Sequence, residues 1–417
     1  MKLLNIDYEK YKLSNGLEVI LYKDSSLPLV AVNIWYKVGS AYEVKGKTGL
    51  AHLFEHMMFQ GSENVPKEMH FRYIQESGGT LNGSTSFDRT NYYEKVPSNY
   101  LELALWLESD RMGYFLNSLT QEKLDNQKSV VANERLERYD NQPYGLAWEI
   151  ILNNLYPKGH PYSWATIGFL DDIKSYTLED VKEFFTKHYS PGNATLVIAG
   201  DFETTKTVNL IDKYFAEINS SDNKKEPDEL SFILDRNILI EHPDNVQLDR
   251  LYLAWPTDKI YSDDDPALDV LADVLSGSKN SRLYKRLVFD DQIAQDVSVF
   301  QFSAKFAGHF MIISTAKPNI SLDRIKDVIF EEINKISSEG ITNKELTKTK
   351  NGIKANYIYS MQSIDTIADR LNMYNYYLND PNKFNYDIER YNKIEKLAIA
   401  DVCNKYLSTA FVELRVT

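Results

Sequence analysis

The sequence predicts an α+β fold: two tandem homologous α/β domains, each a mostly antiparallel sheet packed with helices. Three observations predict it. The chain has 417 residues, enough for more than one domain and for a large core. A run of strand-like segments followed by helical ones extends to residue 218, breaks, and then restarts near residue 231. Segments also recur at a nearly constant distance. Leu119–Leu124 (LTQEKL) is answered by Ile341–Leu346 (ITNKEL) at an offset of 222, and Leu178–Val181 (LEDV) by Ile399–Val402 (IADV) at 221. A period of this size indicates a duplicated domain, because solenoid repeats run roughly 20–50 residues. The expected domains are 1–218 and 231–417. Between them 219–230 (NSSDNKKEPDEL) reads as a polar, proline-bearing linker.

The elements follow in order. Tyr11–Tyr22 reads as a hairpin turned at Ser14-Asn15-Gly16. Leu29–Val38 is almost continuously apolar, as in a strand covered on both faces. Gly49–Gly61 reads as a helix, with Leu50, Leu53, Phe54, Met57 and Met58 forming one apolar stripe. Thr48 is its expected N-cap and Gly61 its stop. Phe71–Glu76 is a short helix ending at Gly78-Gly79, and Leu81–Val96 alternates and is rich in Thr and Tyr, as strands are. Tyr100–Phe115 and Thr120–Arg138 are helical, Ala194–Gly200 is a buried strand, and Ile211–Ile218 is a closing helix. In the second half, Arg250–Trp255, Asp296–Phe300 and Gly308–Thr315 are strands. Pro266–Leu275, Asn280–Leu287, Ser321–Ser337 and Asn343–Met361 are helices there. Each half ends in helix then strand, ATLVIAG and FVELRVT.

Composition excludes several classes. Hydrophobic content of 43% and charged content of 26% describe an ordinary soluble globular protein. A net charge of −13 without any basic tract argues against nucleic-acid binding. No apolar stretch approaches the ~20 residues of a membrane span, and the N-terminus lacks the apolar core of about 7–15 residues that a signal peptide requires. As written the chain is expected in the cytoplasm, or in the periplasm where a leader has been removed. Cys403 is the only cysteine, so no intramolecular disulfide forms, and its place in IADVCNKYL marks a buried thiol. His70, His188, His242 and His309 are isolated and are expected at surface or capping positions; His160-Pro161-Tyr162 and Trp164 read as a structural segment. No phosphate-binding glycine loop and no G-x-S-x-G elbow is present.

The helix at Gly49–Gly61 carries His52-Leu53-Phe54-Glu55-His56. On an α-helix the two histidines lie about 40° and about 6 Å apart. They project from one face at a separation one metal ion spans. The order H-x-x-E-H is the inverzincin signature. Neutral imidazoles bind Zn²⁺ and leave a position for water, and a neighbouring carboxylate such as Glu55 takes the proton of that water. A catalytic zinc needs a third ligand. Glu122, Asp125, Glu134, Glu137 and Asp140 on the later helix are all candidates, and composition does not choose among them. The second half holds no copy of the motif: no histidine lies between His242 and His309, and the position matching Glu134 at the 222 offset is Asn356.

Four blocks in this order, HLFEH, GGTLNGSTSFDRTNYYEKVP, VVANERLERYDNQPYG and HPYSWATIG, resemble the pitrilysin-type zinc metallopeptidases. The similarity is to the branch that includes the mitochondrial processing peptidase and many bacterial zinc proteases. The resemblance covers essentially the whole chain. It implies one Zn²⁺ per chain, with His52, His56 and Glu134 as ligands and Glu55 as general base. The spacing from His56 to Glu134 is one residue longer than is common in the family. Strict counting would land on Asn133, and one inserted loop residue accounts for the difference. A second glutamate seven residues before the ligand occurs in many members; here Gln127 stands there, and no catalytic role is assigned to it. The resemblance also implies that a peptide substrate adds as a strand along Asn82-Gly83-Ser84-Thr85.

It further implies an enclosed chamber formed by four α/β domains, two from each of two chains. Family members contact substrate with an Arg and a Tyr in a segment resembling R-E-K-x-G-L-A-Y. Here the aligned segment is Val288–Gln295, with Val288 at the Arg position and Gln295 at the Tyr position. The expectation is therefore a zinc endopeptidase subunit whose homologous partner carries the Arg/Tyr pair. The alternatives are an active homodimer, or a non-catalytic scaffold or processing subunit of a larger complex.

Overall fold

The computed structural model describes residues 6–221, 226–227 and 232–417. Within the expected linker, 222–225 and 228–230 lie outside the described residues. Among the described residues eleven strands form two sheets. The first contains β1 (Glu9–Lys12), β2 (Glu18–Lys23), β3 (Leu29–Tyr36), β4 (Thr80–Thr85), β5 (Thr90–Pro97) and β6 (Ala194–Gly200), in the order β1-β2-β6-β3-β5-β4. The second contains β7 (Ile238–His242), β8 (Arg250–Thr257), β9 (Ala294–Ser303), β10 (Gly308–Ala316) and β11 (Val412–Val416), in the order β7-β11-β8-β10-β9. The second order reproduces the first strand for strand, from β2 to β4. β2 pairs with β6, and β7 with β11, in parallel; every other pairing is antiparallel. The duplication read from LTQEKL and ITNKEL is thus present as repeated topology.

Leu81–Val96 is a hairpin rather than one strand. Ser86–Arg89 closes it, with the amides of Asp88 and Arg89 both 3.3 Å from Ser86 Oγ. A serine hydroxyl that takes nearby backbone amides favours a turn over a continuing ladder.

The helices, in chain order, are α1 (Leu50–Met57), α2 (Met69–Glu76), α3 (Leu101–Tyr114), α4 (Gln121–Arg135), α5 (Ala147–Leu155), α6 (Leu170–Ser175), α7 (Leu178–His188) and α8 (Thr204–Phe215). There follow α9 (Asp265–Ser276), α10 (Leu322–Glu339), α11 (Asn343–Ser360), α12 (Ile364–Leu378), α13 (Phe384–Lys393) and α14 (Lys396–Val402). α4 runs directly into a π-turn at Leu136–Asp140, and a second π-turn, at Tyr284–Asp290, replaces most of the helix expected at Asn280–Leu287. Among the described residues no helix is long and apolar enough to cross a membrane.

The compact units depart from the expected boundaries 1–218 and 231–417. One comprises Met1–Arg135, Ala165–Pro227 and Ile358–Asn385; the other comprises Leu136–Trp164, Asp228–Tyr357 and Tyr386–Thr417. The cause is an exchange of helices. α5 buries Ala147, Ile151, Leu152 and Leu155 and packs on β8 and β11 of the second sheet. α12 buries Ile367, Ala368, Leu371 and Tyr374 and packs on β3 and β6 of the first. An amphipathic stripe shows that a helix covers a sheet, not which sheet.

α1 is seated as its stripe predicts, with Leu50, Leu53, Phe54, Met57 and Met58 all buried. Phe54 lies against Phe115, Phe184, Phe185 and Tyr189. The cap differs from expectation. Gly49 occupies the N-cap with φ 85° and no side-chain capping bond. Glu43 instead accepts the amides of Gly49 (2.9 Å) and Ala51 (2.8 Å). A buried carboxylate takes the first helix amides and meets the positive end of the dipole. The Thr48 hydroxyl is turned away, donating to Asp172 Oδ2 at 2.7 Å and accepting from the Phe169 amide at 3.0 Å.

Three of the histidines expected at surface or capping positions are buried: His70, His188 and His309. His160 is buried as well, stacked on Tyr156 at 4.7 Å. His309 Nδ1 lies 3.0 Å from Tyr156 Oη, in the same unit. Burial disfavours the imidazolium and pushes His160 down to about 4, and His188 and His309 down to about 3.

Two outcomes follow from this packing. Glu43→Ala should lower stability by about 2–4 kcal/mol, because two buried amides lose a charged acceptor. Hydrogen exchange of the α1 amides should accelerate with it; unchanged exchange would show that another group holds the helix start. In the unfolded chain the three histidines titrate near ~6.5, so between that value and their folded values the unfolded state binds more protons. The stability they confer is complete above pH ~6.5 and is lost as pH falls below it. The thermal midpoint should decline between pH 7 and pH 5, and a flat profile over that window would contradict the buried-neutral assignment.

Candidate metal centre and active site

α1 places His52 and His56 one turn apart, their ring centroids separated by 4.8 Å at an interplanar angle of 71°. α4 brings Glu134 to them. Its Oε2 lies 3.4 Å from His56 Nε2 and 3.9 Å from His52 Nε2. All three donor atoms fall within 4.8 Å of one another. Of the five carboxylates open as third ligand, Glu134 is the one in this group, while Glu122, Asp125, Glu137 and Asp140 are exposed elsewhere on α4 or its π-turn. Asn133 also points to solvent.

The donor set fits zinc. Two imidazole nitrogens and one carboxylate oxygen are the ligand types of a catalytic site with one position left open. Ligands about 2.0–2.1 Å from a tetrahedral zinc lie ~3.3 Å from each other, close to the His56–Glu134 separation of 3.4 Å. The three side chains keep 16–26% of their surface, so a further small ligand has access.

The two helices are tied together behind the donors. Arg135, next to Glu134, is buried and donates through Nη1 to the Gly168 carbonyl at 2.5 Å. Gly168 in turn lies against Gly49 at the start of α1. A Cβ on Gly49 would stand 2.4 Å from Ile167 O, and one on Gly168 2.3 Å from Thr48 O. Glycine is required on both sides of this contact.

Glu55 flanks the donors from the same helix. Burial raises its carboxyl above the ordinary range, against the lowering effect of a hydrogen bond from Thr85. Thr85 Oγ1 donates to Glu55 Oε2 at 2.6 Å. Gly83 is the neighbouring point of contact: a Cβ there would lie 3.2 Å from Glu55 Oε1 and 3.3 Å from the Phe59 ring. Asn82-Gly83-Ser84-Thr85 all belong to β4, which is the edge strand of its sheet. The Gly83 amide is bonded to Asn82 Oδ1 at 2.9 Å, and the Ser84 carbonyl accepts from Arg89 Nη1 at 2.8 Å. An edge strand beside a donor triad can extend its ladder by one further strand.

Gln127 stands two turns before Glu134 and is buried. In the second unit Val288 lies partly buried against the core, while Gln295 is exposed on β9.

A second cluster was not anticipated from the sequence. His70 Nε2 lies 3.0 Å from Glu94 Oε1, and Glu94, Glu108 and His70 converge with all three side chains buried. Arg111 occupies the centre, with Nε 3.0 Å from Glu108 Oε2 and Nη2 bonded to Glu108 Oε1 and 3.4 Å from Glu94 Oε1. Its guanidinium also covers the Tyr92 ring at 4.1 Å. The Arg111 cation already stands among the carboxylates, so this is a buried hydrogen-bonded network built around one guanidinium. Burial pushes Glu108 up to about 8 and His70 down to about 3. The signal was present in β5, where Tyr92, Glu94 and Val96 share the buried face.

Comparison with known proteins agrees with the geometry. Residues 18–161 match the family described as Insulinase (Peptidase family M16), and residues 175–353 match the Peptidase M16 inactive domain. The chain is 31% identical over 369 residues to the zinc protease PqqE of Helicobacter pylori, covering 87% of this chain and 82% of that one. It is 25% identical over 375 residues to the probable mitochondrial-processing peptidase subunit beta of Arabidopsis thaliana, covering 86% of this chain and 68% of that one. The crystal structure of a protease from Helicobacter pylori superposes with a TM-score of 0.93 at 29% identity, over 99% of both chains. The chain belongs to the pitrilysin-type zinc metallopeptidases, the insulinase family M16.

Proposed function

We propose that the chain is the zinc-binding subunit of an endopeptidase. His52, His56 and Glu134 hold one Zn²⁺, and Glu55 is the general base. The observation that carries this reading is the convergence of the three donors with Glu55 beside them on one helix. When bound, zinc supplies a Lewis acid that polarises the scissile carbonyl and lowers the pKa of water. Glu55 takes a proton from the attacking water as the C–O bond forms. It then gives that proton to the amide nitrogen as the C–N bond breaks. β4 holds an extended peptide through backbone groups at Asn82-Gly83-Ser84-Thr85, with little demand on its sequence. The Asn82 side chain must leave the Gly83 amide for a substrate carbonyl to take its place.

The active complex is a heterodimer enclosing a chamber, and the partner is a homologous subunit that supplies the Arg/Tyr substrate contacts. Support comes from the segment Val288–Gln295. Against the family pattern R-E-K-x-G-L-A-Y, the glycine position is Gln292, which has φ 55°, a left-handed conformation that favours glycine. Ile293 and Ala294, at the Leu and Ala positions, are buried. Aligned at those points, the Arg and Tyr positions hold Val288 and Gln295.

Glu55→Gln should retain zinc at the wild-type level while turnover falls by about 10²–10⁴. Glu134→Ala should lose zinc affinity; wild-type zinc content in that variant would remove Glu134 from the ligand set. The purified chain should cleave peptides slowly, and a homologous subunit with the Arg/Tyr pair should restore the rate. Full activity of the isolated chain would instead favour a homodimer, and no activity in any combination would favour the scaffold.

A further inference from the structure

We propose that Thr85 is a positioning residue for the base: its hydroxyl fixes Glu55 Oε2 and leaves Oε1 to exchange the proton. This rests on the assignment of Glu55 as the base. The 2.6 Å bond from Thr85 Oγ1 to Glu55 Oε2 is a charge-assisted contact between an edge strand and the metal-site helix. Thr85 stands opposite Thr90 in the ladder and its hydroxyl accepts from Thr90 Oγ1 at 3.5 Å, which leaves its own proton for Glu55. Glu55 Cγ and Oε1 lie beside Gly83, both 3.2 Å from where a Cβ would be, so a side chain at that position would crowd the carboxylate and glycine leaves it room. One carboxylate oxygen is therefore held and the other lies along the strand that receives the peptide.

The arrangement links two events. A peptide that adds to β4 pairs with the strand that carries Thr85. The same strand orients the group that must accept the proton. Thr85 transfers no proton itself. Its hydroxyl donates to Oε2 whether Oε1 is bare or protonated, so the bond survives both halves of the reaction and keeps Oε1 aimed at one point.

The test compares Thr85→Val, Thr85→Ser and Glu55→Gln in the full chain, with its partner subunit where one is needed. Thr85→Val keeps the β-branched shape and removes the hydroxyl. It should lower kcat by up to about 10²-fold, the scale of a misplaced catalytic group, with KM and zinc content unchanged. Thr85→Ser should restore kcat. In the metal-free chain, Thr85→Val should shift the urea midpoint, and that shift should vanish in a Glu55→Ala background, a readout independent of turnover. If Thr85→Val keeps wild-type kcat while Glu55→Gln is inactive, the positioning role fails and the base assignment stands. A rise in KM alone would overturn the role in favour of direct substrate binding. Full turnover in Glu55→Gln would overturn both.

Discussion

The register between α1 and α4 is the constraint on which the site depends. Two donors come from one turn of α1, and the third comes from the end of a helix that the chain reaches only after a hairpin and α3. A donor displaced by an ångström no longer matches the ~2.0–2.1 Å bonds of zinc. The chain meets this with contacts that leave no slack: Gly49 against Gly168, and Arg135 on the Gly168 carbonyl. Glu43 fixes the first amides of α1 from the other side. The donors are thus set by backbone contacts at the helix ends, and their own side chains remain partly open to solvent.

The duplication separates architecture from chemistry. Both sheets keep one strand order and one parallel pair. In the first, the edge strand β4 meets Glu55 through Thr85. In the second, the edge strand β9 meets Ser276, whose hydroxyl takes the Val299 amide at 2.7 Å. The second junction also has a carboxylate, Asp265 of α9, which accepts from Ser303 Oγ of β9 at 2.6 Å, but α9 carries no histidine, so the paired imidazoles stand in only one of the two. The match of residues 175–353 to a domain described as inactive accords with this. A fold repeated without the histidine pair keeps its packing while losing the donors a metal needs.

Much of this was legible in the residues. The stripe Leu50, Leu53, Phe54, Met57, Met58 fixed which face of α1 is buried, and hence that His52, Glu55 and His56 face elsewhere. The offset between LTQEKL and ITNKEL announced the repeat. Glu134 could not be selected from composition, because five carboxylates on α4 and its π-turn have the same local pattern; family resemblance chose it, and of the five it is the half-buried one grouped with the histidines. Glu43 was invisible as a cap because its reach to Gly49 and Ala51 depends on a loop conformation, whereas Thr48 held the usual capping place in sequence. The exchange of α5 and α12 was hidden for a similar reason: periodicity reports a buried face without naming its partner. Arg111 and Glu108 were hidden within an ordinary helical pattern, since only the packing of β5 against α3 shows that both are buried.

The most direct measurement is an anomalous difference map, at the zinc edge, from crystals of the zinc-loaded chain. One peak should appear among His52 Nε2, His56 Nε2 and Glu134, at bond lengths of about 2.0–2.2 Å. No peak there, or a peak among His70, Glu94 and Glu108, would contradict the proposed metal site and the mechanism built on it.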